Sequence, residues 1–142
     1  SINGTVKSID ELTSLFSQYE LVILDEAYSD FSKISLIPKY LEYPNVIILK
    51  TFSKTLPLPG LRLGYCVSSN KQIIEKLQLT RPSCVSNGFN IDLVPKLLDL
   101  ISGHIDRMEQ TRNILVSNYN ARSTHANFVL FDSKLTDTIV SL

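Results

Sequence analysis

The sequence predicts an α/β fold with a mostly parallel sheet covered on both faces. Three observations lead there. Leu21-Val22-Ile23-Leu24 and Asn45-Val46-Ile47-Ile48-Leu49 are compact apolar runs rich in branched residues, the pattern of buried strands. Segments with helix caps or helical spacing stand before, between and after the strand-like runs, as in a sheet layered with helices. Asp25, Tyr28, Thr51, Ser53 and Lys54 all fall just past the strands' carboxyl ends, where open α/β sheets bind their ligands.

The elements follow in order. Ser8-Ile9-Asp10-Glu11 reads as a capping box opening a short helix through about Phe16. The first strand runs into Asp25. A Ser- and Pro-containing segment and Tyr40-Leu41-Glu42-Tyr43-Pro44 lead into the second strand, which ends at Lys50-Thr51-Phe52-Ser53-Lys54. Thr55 to Gly60 is a turn, because Pro57 and Pro59 forbid a helix interior. Leu61 to Val67 alternates like a third strand. Asn70 caps a helix through about Leu77, broken at Arg81-Pro82-Ser83. From Asn90 to about Tyr119, apolar residues recur mostly every three or four positions. That is one long amphipathic helix or two abutting ones, with Gly103 as the weak point. Asn127 to Phe131 reads as a further strand, and Ser133 begins another helix.

Composition narrows the function classes. The 142 residues suit one domain by size and can bury a core. Fourteen basic and 14 acidic residues cancel, which argues against a nucleic-acid or anionic-membrane partner chosen by bulk charge. No apolar stretch approaches the roughly 20 residues of a membrane helix, and the first residues do not resemble a signal peptide. A cytoplasmic protein is expected. Cys66 and Cys84 are too few for a disulfide framework, and are expected to be core or near-surface thiols. His104 and His125 lack metal-ligand spacing and read as surface or packing residues. No metal site is expected.

Taken singly, the polar residues also have plain structural readings. Asp25 at a strand end fits a cap or turn residue. Lys54 in a turn fits a solvated cation. Arg62 fits an exposed strand face, and Tyr28 fits the core.

The longer strings say more. Leu21–Phe31 reads LVILDEAYSDF and Tyr43–Tyr65 reads YPNVIILKTFSKTLPLPGLRLGY. Together they resemble the fold-type I pyridoxal-phosphate (PLP) enzymes, and most of all the histidinol-phosphate aminotransferases. Arg81-Pro82 with Val85-Ser86-Asn87, and Ala126-Asn127-Phe128-Val129-Leu130, are similar to further stretches of that family. The resemblance covers most of the chain and is most specific over Tyr43–Tyr65.

The resemblance implies a fold, a cofactor and a set of roles. Residues 1–88 would be the later half of a PLP-binding large domain. Residues 89–142 would be a connecting helix and the start of a small α+β domain. The cofactor needs a lysine for an imine, a carboxylate for its ring nitrogen, a donor for its phenolic oxygen, and cations and hydroxyls for its phosphate. Lys54, Asp25 and Tyr28 would meet the first three needs, and Thr51, Ser53 and Arg62 the last. Lys54 would also move the substrate proton as general acid and base. The implied reaction is transamination of a small-molecule amino donor and a 2-oxo acid, here histidinol phosphate and 2-oxoglutarate, in histidine biosynthesis. A homodimer is implied too.

The sequence departs from that family in places. Gly4 fits the glycine of its Asn-Pro-Thr-Gly turn, but Ser1 stands where Asn is expected. Pro57 and Pro59 replace Gly/Ala-type residues. The family's earlier phosphate loop and its C-terminal substrate-binding arginine have no counterpart, so a truncated product or fragment with uncovered apolar surface is expected. Three rivals stand beside the main reading. Leu21–Glu26 mimics a Walker B strand, but the chain has no phosphate-binding Gly-x-x-x-x-Gly-Lys-Ser/Thr loop. The same scaffold supports other reactions, such as decarboxylation of a phosphorylated amino acid. A non-catalytic remnant is the third.

Overall fold

The computed structural model describes residues 5–56, 58–82 and 88–131. The expectations for Ser1, Gly4, Pro57, Cys84, Val85-Ser86-Asn87 and the helix from Ser133 lie outside the described residues. Helix α1 spans Ile9–Phe16, strand β1 Val22–Asp25 and helix α2 Ser29–Ser32. A 3₁₀ segment at Ile37–Glu42 precedes β2, Val46–Thr51, and the single-turn helix α3, Phe52–Thr55. A second 3₁₀ turn, Pro59–Leu61, leads to β3, Gly64–Val67. Helices α4 (Lys71–Thr80), α5 (Gly88–Leu97) and α6 (Leu100–Tyr119) complete the described fold.

Among the described residues the sheet has three strands in the order β1-β2-β3. Val22 pairs with Val46 through Asp25 with Leu49, all parallel. Ile48 pairs with Val67 through Thr51 with Gly64, antiparallel. The sheet is therefore mixed, and β3 is shorter than the alternation predicts. Leu61 belongs to the 3₁₀ turn, and Arg62 closes that turn with φ 51°, a left-handed conformation no strand residue adopts.

Alternation along the strands decides where the core sits. Val22, Leu24, Val46 and Ile48 share one face. There Val46 and Ile48 join Phe16 and Leu36, with Ile9, Leu12, Leu15, Ile37 and Tyr43 packed around them. Phe16 meets Tyr43 edge-on, with centroids 4.9 Å apart. On the opposite face Ile47 is buried, but Ile23 is 61% exposed and Leu49 39%, so among the described residues the expected cover on both faces is incomplete there. Asn45 docks α1 to the sheet: its side-chain amide donates to the carbonyl of Phe16 (2.7 Å), left open as α1 ends, and to that of Tyr19 (2.9 Å) in the segment beyond.

The capping box forms as predicted. The Ser8 amide donates to Glu11 Oε2 at 2.8 Å, and the Glu11 amide to Ser8 Oγ at 3.2 Å. The Ser8 backbone bond, then the Ser8 hydroxyl, then the Lys7 charge hold the Glu11 carboxyl below its ordinary value of 4.5. A lowered folded-state value means the stabilising contribution is complete above 4.5 and is lost as pH falls through that lower value. The Ser8 amide NMR shift, followed downward from neutral pH, should therefore titrate with a midpoint below 4.5. It should stop titrating in Glu11→Gln. A midpoint at or above the ordinary value would contradict the reciprocal cap.

The long helical segment divides at Leu98-Asp99, and Gly103 lies inside α6. Pro95, which has no amide proton to donate, sits within α5 just ahead of that break. Asn120, at φ 50°, ends α6 as a left-handed cap. The predicted strand at Asn127–Phe131 contributes a single antiparallel bridge, Arg122 with Leu130. No helix among the described residues is long and apolar enough to cross a membrane.

Candidate functional site

The carboxyl ends of the two parallel strands open onto the segments carrying the predicted site residues. β1 ends at Asp25, whose Oδ1 accepts the Ala27 amide at 2.9 Å. The bond turns the chain sharply off the strand, as Asp does in Asx-turns. Tyr28 then stands at the start of α2. Asp25, Tyr28, Leu24, Lys7, His125 and Ala126 contribute to the wall of a cavity of about 340 Å³. Next to β1, β2 runs directly into α3. Thr51 caps it, its Oγ1 accepting the Ser53 amide at 3.1 Å and donating to the Leu63 carbonyl at 3.3 Å.

α3 brings Lys54 to Tyr28. The Lys54 Nζ lies over the Tyr28 ring, 5.8 Å from its centroid, and both side chains are half-buried. That places the amine where a ring's electron-rich face attracts a cation. Phe31 and Phe128 flank the same tyrosine at 6.5 and 6.1 Å, Phe128 edge-on. Phe128 belongs to the Ala126–Leu130 string. Arg112 of α6 holds that string by donating to the Ala126 carbonyl at 2.9 Å.

Of the six predicted residues, the structure brings Tyr28 and Lys54 together, places Asp25 beside Tyr28 on the cavity, and joins Thr51 to Ser53. Arg62 is exposed, and its guanidinium donates to the Pro59 carbonyl at 3.4 Å. His125 lies exposed at the cavity and His104 half-buried in α6. Cys66 is a surface thiol. Among the described residues no group of His, Cys, Asp and Glu is arranged to hold a metal. Glu26, the acid of the Walker-B-like reading, is buried. It accepts the Ser35 hydroxyl at 2.5 Å and the Leu36 amide at 2.6 Å, so its carboxylate is spent on fixing the loop after α2.

Single-residue reasoning missed a buried polar group next to this site. Lys50 Nζ lies 2.5 Å from both Ser29 Oγ and Asp30 Oδ1, and Thr55 Oγ1 donates to Asp30 Oδ2 at 2.6 Å. The signal was present. Lys50 shares strand parity with Val46 and Ile48 and so points to the core face, where a cation requires a partner.

The residues fit the needs of a PLP-type cofactor. A half-buried amine beside a phenol, a carboxylate on the adjoining cavity, and two hydroxyl-bearing residues in one turn lie at one end of one sheet. The family pattern of aminotransferase class I and II matches residues 2–121, and the chain belongs to that family. It is 36% identical over 113 residues to the histidinol-phosphate aminotransferase of Pyrococcus furiosus, covering 80% of this chain and 32% of that protein. The chain thus spans about a third of that relative's length. The crystal structure of the histidinol-phosphate aminotransferase from Clostridium acetobutylicum superposes with a TM-score of 0.79 at 23% identity, over 98% of this chain and 48% of that one. The Sinorhizobium meliloti histidinol-phosphate aminotransferase, solved in complex with pyridoxal-5'-phosphate, gives 0.69 at 23%, over 89% and 38%. These likenesses support the fold-type I architecture.

Proposed function

We propose that this chain carries the cofactor lysine of a PLP-dependent aminotransferase, acting on histidinol phosphate and 2-oxoglutarate to give imidazole acetol phosphate and glutamate. One observation carries the reading: Lys54 Nζ stands 5.8 Å over the Tyr28 ring, on the turn that follows the strand beside Asp25. The kinship with histidinol-phosphate aminotransferases supports the substrate pair.

Each residue has a task. Lys54 would hold the cofactor through its amine and would serve as the acid and base that moves a proton at the substrate carbon. Asp25 would keep the ring nitrogen protonated, and Tyr28 would donate to the ring oxygen. Thr51, Ser53 and Arg62 would hold the phosphate, which requires the Arg62 guanidinium to leave the Pro59 carbonyl. The cofactor, when bound, supplies an electron sink for the carbanion. Residues 1–88 form the later half of its domain and 89–142 a connecting helix and the start of a small domain. A cytoplasmic homodimer completes the reading.

The test is an absorption spectrum of the purified chain with added PLP, followed by borohydride reduction and peptide mapping. The band of lysine-bound cofactor should appear and the reduced adduct should map to Lys54. Lys54→Ala should lose both. No band, or label spread over many lysines, would end this reading for the chain. Where the band forms, an amino-donor screen separates transamination from decarboxylation through release of carbon dioxide.

A further inference from the structure

Asp30 joins three elements through one carboxylate. Its Oδ1 accepts from Lys50 Nζ on β2 at 2.5 Å, and its Oδ2 accepts from Thr55 Oγ1 on α3 at 2.6 Å. Asp30 itself lies on α2, and Lys50 also reaches Ser29 Oγ at 2.5 Å. The network is partly shielded: the Lys50 side chain is 7% exposed and Thr55 1%, while the Asp30 carboxylate that joins them is 32% exposed.

Its members are sequence neighbours of the site. Ser29 follows Tyr28, Thr55 follows Lys54, and Lys50 precedes Thr51. The carboxylate therefore fixes the backbone beside Tyr28 to the backbone beside Lys54. Fixed polar contacts on neighbouring residues are what hold a site to sub-ångström tolerance. We infer that Asp30 is a positioning residue: its bridge between Lys50 and Thr55 holds the Lys54 amine over the Tyr28 ring. This deepens the cofactor reading of Lys54, but the geometry it explains belongs to the chain by itself.

A purely structural ion pair would contribute stability and leave the amine free to settle elsewhere. A positioning bridge makes the amine's place depend on the Thr55 hydroxyl. The readout is NMR of the full chain labelled with ¹³C-lysine. A cation over an aromatic face has its side-chain proton signals moved upfield by the ring. The Lys54 side-chain signals are assigned with Lys54→Arg, and Tyr28→Leu gives the position without the ring.

In the unmodified chain the Lys54 signals should lie upfield of that reference. Asp30→Asn and Thr55→Val should lose most of the upfield shift, and Thr55→Ser, which restores the hydroxyl, should recover it. Thr55→Val removes one hydroxyl and keeps the side chain's shape, so it decides the matter where Asp30→Asn does not fold. An unchanged Lys54 shift in folded Thr55→Val would overturn the inference. So would an unmodified chain whose Lys54 signals match the Tyr28→Leu reference. Borohydride trapping run on the same samples keeps the two readings apart. A normal Lys54 shift without trapping rejects the cofactor role and leaves the bridge standing. Trapping at Lys54 with a shift indifferent to Thr55→Val rejects the bridge and leaves the cofactor role.

Discussion

Ile48→Ala should destabilise the chain by about 2–5 kcal/mol. Ile48 is the centre of the described sheet, with 0% exposure. It pairs with Leu24 on one side and Val67 on the other, and belongs to the Phe16, Leu36 and Val46 cluster. Truncation removes three buried carbons and leaves a void that two hydrogen-bonded neighbours prevent from collapsing, so the cost belongs in the upper part of that range. Against a total stability of about 5–15 kcal/mol for a domain, this is a large fraction. Urea unfolding should show a lower midpoint with an unchanged slope. Ile23→Ala, on the open face and 61% exposed, is the control and should cost much less. Equal losses at the two positions would mean that the open face is covered in solution.

The contrast between Ile23 and Ile48 also measures what the sequence makes legible. Both lie in apolar runs, and run length and branching were enough to locate β1 and β2. Asp25, Thr51, Ser53 and Lys54 were then placed by simple continuation past the strand ends. The direction of β3 was not legible, since alternation identifies a strand and says nothing of its orientation. Its start was masked because Leu61 and Leu63 keep an alternating pattern while Arg62 turns left-handed between them. The helix break was misplaced for a related reason. A Cβ added at Gly103 would meet only the Arg107 side chain, at 3.6 Å, so no close approach marks this position and the glycine lies inside α6. Among the site residues, proximity of Lys54 to Tyr28 requires knowing that β1 and β2 are adjacent and parallel, which no local spacing states. The Asp30–Lys50–Thr55 bridge joins α2, which follows β1, to β2 and α3 and was hidden for the same reason, although the parity of Lys50 was a warning.

Gly64→Ala should cost about 1–3 kcal/mol and disturb the site as well. A Cβ at Gly64 would lie 2.6 Å from the Lys50 carbonyl oxygen and 3.6 Å from the Thr51 Cα. The obstacle is backbone, so no side-chain rotation relieves it. Gly64 pairs with Thr51, the residue that caps α3, so β3 must move away from the strand end that carries Lys54. The close approach explains why a glycine stands in this string, where conformational freedom does not. Two effects should appear together: a lower unfolding midpoint, and weaker trapping of PLP at Lys54 in the fraction that remains folded. Gly60→Ala is the matched control, because a Cβ there meets nothing within 4 Å. It should retain both stability and trapping. If Gly64→Ala lost stability but trapped cofactor as the unmodified chain does, β3 would be a brace for the sheet alone. The position of α3 would then depend on the Asp30 bridge and the Thr51 cap, without a contribution from the strand pairing beyond them.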